Sequence, residues 1–206
     1  MHQGIVDWVR ASILPDMVED RRVLDVGSAD LNGSMRKWFL QQGVIEYHGI
    51  DIVDGIGVDE ILSANDLLER HGSAKWDLIL CLEMLEHAEK WQNALYQMKE
   101  SLKQGGWLLL TTRSPGYPFH APPDYWRFTK EVLREAFSDL QAVETWSDPG
   151  FFVSETTYAL QPGVYIRGQR QGEITLPMVE AEAAPPDLGS QEGFIDPKGF
   201  MRKIEL

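Results

Sequence analysis

Short runs of apolar residues alternate with stretches of helical periodicity over residues 1–170. The clearest run, Trp76–Leu82, is apolar at nearly every position, which is typical of a strand buried on both faces of a sheet. An apolar stripe at helical spacing follows it and includes Trp91, Leu95 and Met98. This alternation predicts an α/β fold of βαβ units around a mainly parallel sheet.

The same pattern places the other elements. Helices are expected around residues 5–9, 35–39 and 132–137, with Asn32 or Ser34 capping the second and Thr129 capping the third. The further predicted strands are residues 21–27, 47–51, 58–62, 107–112, 143–146 and 164–167, the last two as an antiparallel hairpin at the sheet edge.

The composition changes beyond about Gln171, where acidic residues and a Pro185–Pro186 pair show no period. We interpret residues 1–170 as one domain and residues 171–206 as an acidic, proline-containing C-terminal arm. Within this arm, Phe194 and Phe200 are expected to dock on the domain.

Composition and charge narrow the class of protein. The chain has 206 residues, 43% of them hydrophobic, and it carries 32 acidic against 19 basic side chains, a formal charge of −13. This balance weighs against nucleic acid as the main partner. The single cysteine, the acids near the amino terminus and the lack of an apolar run of ~20 residues predict a soluble, cytoplasmic protein without a membrane span.

Two features point to a ligand at the carboxyl ends of the strands, where open α/β folds bind ligands. Small residues, including Gly27 and Ser28, form the turn that follows Asp25. They let a ligand approach the backbone. The other interpretation is that small residues here only allow a helix to pack closely on the strand. Asp51 lies 24 residues after Gly27, at the end of the next strand. A carboxylate in that place can accept both ribose hydroxyl groups; otherwise it is a surface acid at a strand end.

A third feature combines two segments. Asp66, within Asn65–Leu67, precedes a helix and can accept a hydrogen bond from an exocyclic amine or act as a helix N-cap. The second segment, Cys81–His87, follows the apolar strand and contains Glu83 and Glu86.

These segments, with Leu102–Gly106, occur in the order found in class I S-adenosylmethionine (SAM)-dependent methyltransferases, and the chain resembles the bacterial methyltransferase type 11 group from about Ile5 to Arg167. Segments 111–116 and 124–128 resemble a poorly characterised subgroup. The family implies a Rossmann-like, seven-stranded, mainly parallel sheet with helices on both faces and an antiparallel last strand. It implies SAM as cofactor, bound by Asp25, Gly27, Ser28, Asp51, Ile52, Asn65, Asp66, Leu67, Cys81, Leu82 and Glu83.

Two histidines are candidates for catalytic proton removal, because an imidazole titrates close to neutral pH. His87 follows the apolar strand at the expected mouth of the site, and His120 lies in the long loop after the next strand. His87 can instead bond the backbone at a helix start. The residues of this loop are also candidates for binding the substrate. The other interpretation is that they form a lid packed on the core. They are Arg113, Tyr117, Tyr125, Trp126 and Arg127.

The sequence therefore predicts a methyltransferase acting on a small-molecule or glycan acceptor, by O- or N-methylation, with no metal assigned. The alternative is a SAM-binding regulatory or assembly subunit without activity, since Ser28, Ala29 and Asp30 replace the further glycines usual after Gly27. The sequence leaves open whether the chain forms a homodimer.

Overall fold

The protein, described here by a computed structural model, contains a seven-stranded sheet. The structure describes residues 3–31, 33–119, 123–148 and 163–186. In spatial order the strands are β3 (Glu60–Ile61), β2 (Glu46–Asp51), β1 (Arg22–Val26), β4 (Trp76–Leu82), β5 (Leu102–Arg113), β8 (Gly163–Gln169) and β7 (Gln141–Asp148). The pairs from β3 to β5 are parallel, and β8 is antiparallel to both of its neighbours. The predicted fold class, including the antiparallel last strand of the sheet, is confirmed.

Helices cover both faces of this sheet because each central strand sends alternate side chains to opposite sides. Along β4, Ile79 and Cys81 belong to one apolar cluster, whereas Leu78 and Leu80 belong to the other. The helices are α1 (Gln3–Ser12), α2 (Arg36–Gln41), α3 (Leu67–His71), α4 (Trp91–Ser101) and α5 (Lys130–Ala136). Helices α4 and α5 pack in the first cluster, and α1 and α2 pack in the second.

Most of the local predictions hold in the structure. The side chain of Thr129 accepts a hydrogen bond from the amide of Val132 and so caps α5 as expected. The hydroxyl oxygen of Ser34 accepts a bond from the amide of Arg36, at the start of α2. The competing cap, Asn32, lies outside the described residues, as do Phe194 and Phe200. No helix in the described part of the chain is long and apolar enough to cross a membrane.

The described part of the C-terminal arm contacts the domain. Strand β9 (Glu182–Ala183) pairs with β6 (Trp126–Arg127) in a separate two-stranded sheet. Ile174 is buried in the same apolar cluster as α4 and α5. The polar-looking composition concealed this packing, because only a few apolar side chains are needed to hold an extended segment against a preformed surface.

Candidate cofactor and acceptor site

The strand register brings the candidate segments together. Val26 of β1 lies opposite Ile50 on one side and Cys81 on the other. Since parallel strands end at the same edge of a sheet, the turn at Gly27, the carboxylate of Asp51 and the residues after β4 share that edge.

The glycine turn after β1 is tightly packed. Gly27 has a φ of +83°, a backbone conformation that L residues rarely adopt. A Cβ atom added at this position would lie 2.6 Å from the side-chain atoms of Met84. The amides of Gly27 and Ser28 both donate to the carbonyl of Ile50, at 2.9 and 3.0 Å. A larger residue at Gly27 therefore collides with Met84, so the packing interpretation of this turn has direct support.

Asp25 lies inside the sheet. It is buried, and one of its carboxylate oxygens accepts a hydrogen bond of 2.6 Å from the hydroxyl group of Tyr47. Burial raises the pKa of Asp25 to about 6, although the bond from Tyr47 opposes this shift. The carboxylate of Asp25 is thus engaged inside the sheet, directly before the glycine turn.

Asp51 ends β2 at this edge of the sheet. One carboxylate oxygen accepts a bond of 3.1 Å from the amide of Ala29, and the other accepts a longer one of 3.3 Å from the amide of Val53. A carboxylate has about four acceptor positions, so acceptor capacity for two hydroxyl groups is left. The next residue, Ile52, is 64% exposed and offers an apolar surface beside this carboxylate.

The segment before α3 follows β3, which is parallel to β2, so it begins at the same edge of the sheet. Ser63 accepts a bond from the amide of Asn65, whereas the exposed side chain of Asp66 makes no capping bond to α3. The N-cap interpretation of Asp66 is therefore wrong, and its carboxylate is directed to solvent. Asn93 donates to the amide oxygen of Asn65 over 2.8 Å, and Leu67 is fully buried.

The residues at the end of β4 differ in exposure. Cys81 is fully buried in the core and Leu82 is nearly so, and burial raises the pKa of the Cys81 thiol well above its usual range. Glu83, the first residue after the strand, has a φ of +60°. Such strain in a non-glycine residue is often found at functional sites.

Glu83 belongs to a cluster of charges between β4 and β5. The guanidinium group of Arg113 lies 2.5 Å from a carboxylate oxygen of Glu83 and 3.5 Å from one of Glu86. Thr112 donates to the other oxygen of Glu86, which is only 1% exposed. Arg113 also stacks on the ring of Tyr117, 4.0 Å from its centroid. Arg113 is thus held by acidic groups of the protein.

Burial raises the pKa of Glu83 to about 7, against the lowering effect of Arg113. Glu83 thus titrates close to neutral pH, whereas an exposed glutamate does not. Neither oxygen of Glu83 forms a well-directed hydrogen bond within the described residues.

His87 ends the turn Leu85–His87 that follows this cluster. Its Nδ1 atom contacts the carbonyl oxygen of Pro123 in the long loop. A carbonyl only accepts, so Nδ1 carries the proton and Nε2 is the basic nitrogen of the neutral ring. The second catalytic candidate, His120, lies outside the described residues.

The long loop is held by a buried ion pair. Arg127 makes two bonds to the carboxylate of Asp124, of 2.6 and 2.8 Å, and their side chains are 1% and 0% exposed. Arg127 also donates to the carbonyls of Tyr117 and Pro118. These contacts favour the lid interpretation for Arg127 and leave a direct role in acceptor binding without support.

The aromatic residues of the loop differ in exposure as well. The indole of Trp126 donates to the carbonyl of Ala88 over 3.0 Å, whereas Tyr125 is 37% exposed. The amide of Tyr125 donates to the carbonyl of Glu86, which joins the loop to the charged cluster. Tyr125 is thus the more exposed of the two.

Sequence reasoning missed several partners in this region. The bond between Tyr47 and Asp25, the contact of Met84 with Gly27 and the pairing of Arg113 with Glu83 each join residues of different strands or turns. A register aligned from the predicted strands could have indicated the first of these, because Tyr47 lies two residues before the partner of Asp25 on β2.

The groups at this edge suit SAM. Asp51 offers acceptors for ribose hydroxyls, and Ile52 offers an apolar surface beside them. The sulfonium and ammonium groups of SAM carry positive charge, which the carboxylate of Glu83 favours when it is ionised. An anionic pyrophosphate would meet the same carboxylate unfavourably.

Comparison with known proteins gives the family and the fold. Residues 3–149 match the family described as methyltransferase domain. A SAM-dependent methyltransferase from Archaeoglobus fulgidus has the same fold, with a TM-score of 0.62 at 15% identity over 82% of this chain and 95% of that one. The 1,6-didemethyltoxoflavin N1-methyltransferase of Burkholderia thailandensis, solved with S-adenosylhomocysteine (SAH), also has this fold. Its TM-score is 0.56 at 16% identity, over 83% of this chain and 84% of that one.

A relative in sequence is the ubiquinone biosynthesis O-methyltransferase of Hydrogenovibrio crunogenus, 25% identical over 112 residues. The match covers 48% of this chain and 46% of that protein, so the chain spans less than half the length of this relative. The chain belongs to the methyltransferase domain family. It has the fold of solved SAM-dependent methyltransferases.

Proposed function

We propose that the protein transfers the methyl group of SAM to a hydroxyl or amine group of a small molecule or glycan. The observation that carries the proposal is the charged cluster of Glu83, Arg113 and Glu86, which lies beside His87 and beneath the long loop. A strained carboxylate with a raised pKa, next to a histidine of defined tautomer, is typical of a site that handles protons.

The residues of this chain have separable roles in such a reaction. Methyl transfer is an in-line displacement, so most of the acceleration comes from holding the acceptor opposite the methyl group. Asp51 orients the ribose, and the loop carrying Tyr125 covers the acceptor. His87 removes the acceptor proton through Nε2, while its Nδ1 stays bonded to Pro123.

The charge of the cluster narrows the acceptor class. Arg113 is paired with two carboxylates, and Arg127 is paired with Asp124. Neither guanidinium is therefore available to attract a carboxylate or phosphate without breaking a protein ion pair. This favours a neutral or cationic acceptor over an anionic one. The O-methyltransferase among the relatives makes hydroxylated aromatic compounds a reasonable first group to test.

The described part of the arm supports the loop in this proposal. The amide of Ala184 donates to the carbonyl of Tyr125 over 2.7 Å, beside the pairing of β9 with β6. We therefore include residues 171–186 as a structural support of the acceptor site.

The test is transfer of radiolabel from methyl-labelled SAM to a panel of phenols, sugars and amines. We expect turnover with at least one neutral or cationic member, and turnover lowered by ~10²–10⁴-fold in folded His87→Ala. Tight SAM binding with no turnover across the panel would instead favour the non-catalytic subunit.

A further inference from the structure

Three side chains that are far apart in the sequence meet on the opposite half of the sheet from the charged cluster. His48 comes from β2, Glu60 from β3 and His71 from the end of α3. One ligand atom of each lies within 4.8 Å of the other two. The Nε2 atoms of the two histidines lie 3.2 and 3.0 Å from the same oxygen, Oε2 of Glu60.

A hydrogen-bonded network explains only part of this arrangement. The contact from His48 to Glu60 has the geometry of a hydrogen bond. In contrast, the Nε2 atom of His71 is buried and forms no hydrogen bond, although Oε2 of Glu60 is 3.0 Å away. The Nε2 atom of His71 thus lies at bonding distance from Glu60 but outside hydrogen-bond geometry, and an ion between the two groups would use both.

We infer that His48, Glu60 and His71 form a binding site for a first-row divalent transition metal ion, represented here by Zn²⁺. Two imidazoles and one carboxylate are a known zinc ligand set, which leaves the fourth position to water. Bonds of ~2.0–2.1 Å in a tetrahedral site place neighbouring ligand atoms about 3.3 Å apart. The observed separations of 3.2 and 3.0 Å from Glu60 are close to that value. The two imidazoles disfavour Mg²⁺ and Ca²⁺, which prefer oxygen ligands.

The site has an entrance and a rigid support. The side chains of His48 and Glu60 are 23% and 18% exposed, whereas that of His71 is 8% exposed. Trp76 stacks on His48 and meets His71 edge to face, which fixes both rings. A metal ion bound here joins β2, β3 and α3.

Lys75 competes with the metal ion. Its ammonium group lies 2.8 Å from Nδ1 of His71. An ammonium only donates, so Nδ1 accepts and Nε2 carries the proton of the neutral ring. Metal binding through Nε2 requires the proton on Nδ1, so Lys75 has to withdraw. Replacing Lys75 with Gln removes the charge and supplies an oxygen that accepts from Nδ1–H, the usual outer-shell arrangement at metal-bound histidines.

The experiment is calorimetric titration of the full chain with Zn²⁺, with Mg²⁺ for comparison, and the visible spectrum of the protein loaded with Co²⁺. We expect Zn²⁺ but not Mg²⁺ to bind. Losing a group that only hydrogen-bonds a metal ligand typically weakens binding roughly 10–100-fold. His48→Gln and Glu60→Gln remove direct ligands, so we expect them to weaken Zn²⁺ binding by at least that much. Lys75→Gln should tighten binding relative to wild type, and Lys75→Met should do so less.

His87→Gln is the matched control, because it removes a histidine at the other site. Binding that is lost in His87→Gln and kept in His48→Gln and Glu60→Gln would overturn the assignment, as would the absence of Zn²⁺ binding to wild type. If a variant fails to fold, X-ray absorption by wild-type protein with one Zn²⁺ decides: a shell with two imidazoles supports the site, and a shell with fewer contradicts it.

Discussion

The hydroxyl group of Tyr47 on β2 donates a hydrogen bond of 2.6 Å to the carboxylate of Asp25 on β1, inside the sheet. Both side chains are buried, and burial raises the pKa of each. The acid that precedes the glycine turn is therefore part of the sheet interior, and we expect its charge state to affect stability.

We expect Asp25 to make the free energy of unfolding depend on pH. Its pKa is about 6 in the folded protein, against an ordinary value of 3.8, so the folded state binds the proton more tightly. Stability therefore falls as pH rises from about 4 to about 6, by up to about 3 kcal/mol, and stays lowered above that range. Asp25→Asn should remove this loss, as measured by urea unfolding at several pH values.

Tyr47→Phe is the companion variant. It removes the bond that favours the ionised carboxylate, so the loss of stability should become larger and extend to higher pH. Equal pH slopes in wild type and Asp25→Asn would contradict the assignment of this dependence to Asp25.

Glu83 should make SAM affinity depend on pH. With a pKa of about 7, its carboxylate gains charge as pH rises through neutrality, and this charge favours a cationic cofactor. We expect the Kd for SAM to fall between pH 6 and 8 in wild type, and to fall less in Glu83→Gln. The ligand is the same in both titrations, so its own ionisation cancels in the comparison. Parallel curves would show that Glu83 does not act on the cofactor.

The pair of Arg127 and Asp124 should matter more for stability than an exposed pair does. Asp124→Asn leaves a buried guanidinium without its counter-charge, at an expected cost of about 3–5 kcal/mol. The control is Glu144→Gln, which breaks the pair with Arg167 where Glu144 is 50% exposed, at an expected cost below ~1 kcal/mol. Similar unfolding midpoints for the two variants would argue against a structural role of the buried pair.

His87 should affect turnover and leave cofactor binding unchanged. His87→Gln keeps a donor for the carbonyl of Pro123 but lacks a basic nitrogen, so we expect kcat to fall ~10²–10⁴-fold at constant SAM affinity. His120→Ala, the second candidate, is measured beside it. Full kcat in both variants between about pH 6 and 9, where histidine titrates, would mean that catalysis is positioning alone.

The sequence predicted the sheet well because its strands carry strong local signals, as the apolar run of β4 shows. It also brought Asp51 and Glu83 to the same edge, because strand order alone determines that placement. It could not predict contacts that depend on side-chain direction across the sheet. Met84 against Gly27, Arg127 inside the loop and His48 beside His71 are all of this kind. The pairing of β9 with β6 was missed because a two-residue strand has no periodicity to detect.

The central claim, that SAM binds at the edge carrying Asp51, is tested most directly by calorimetric titration of SAM and SAH into three folded proteins. These are wild type, Asp51→Ala, and Asp54→Asn as an exposed control in the same loop. We expect Asp54→Asn to bind each ligand with the same Kd as wild type. Asp51→Ala should lose about 1–3 kcal/mol, or roughly 5- to 150-fold in Kd. An unchanged Kd in Asp51→Ala would contradict the ribose assignment, and no binding of either ligand to wild type would contradict the claim itself.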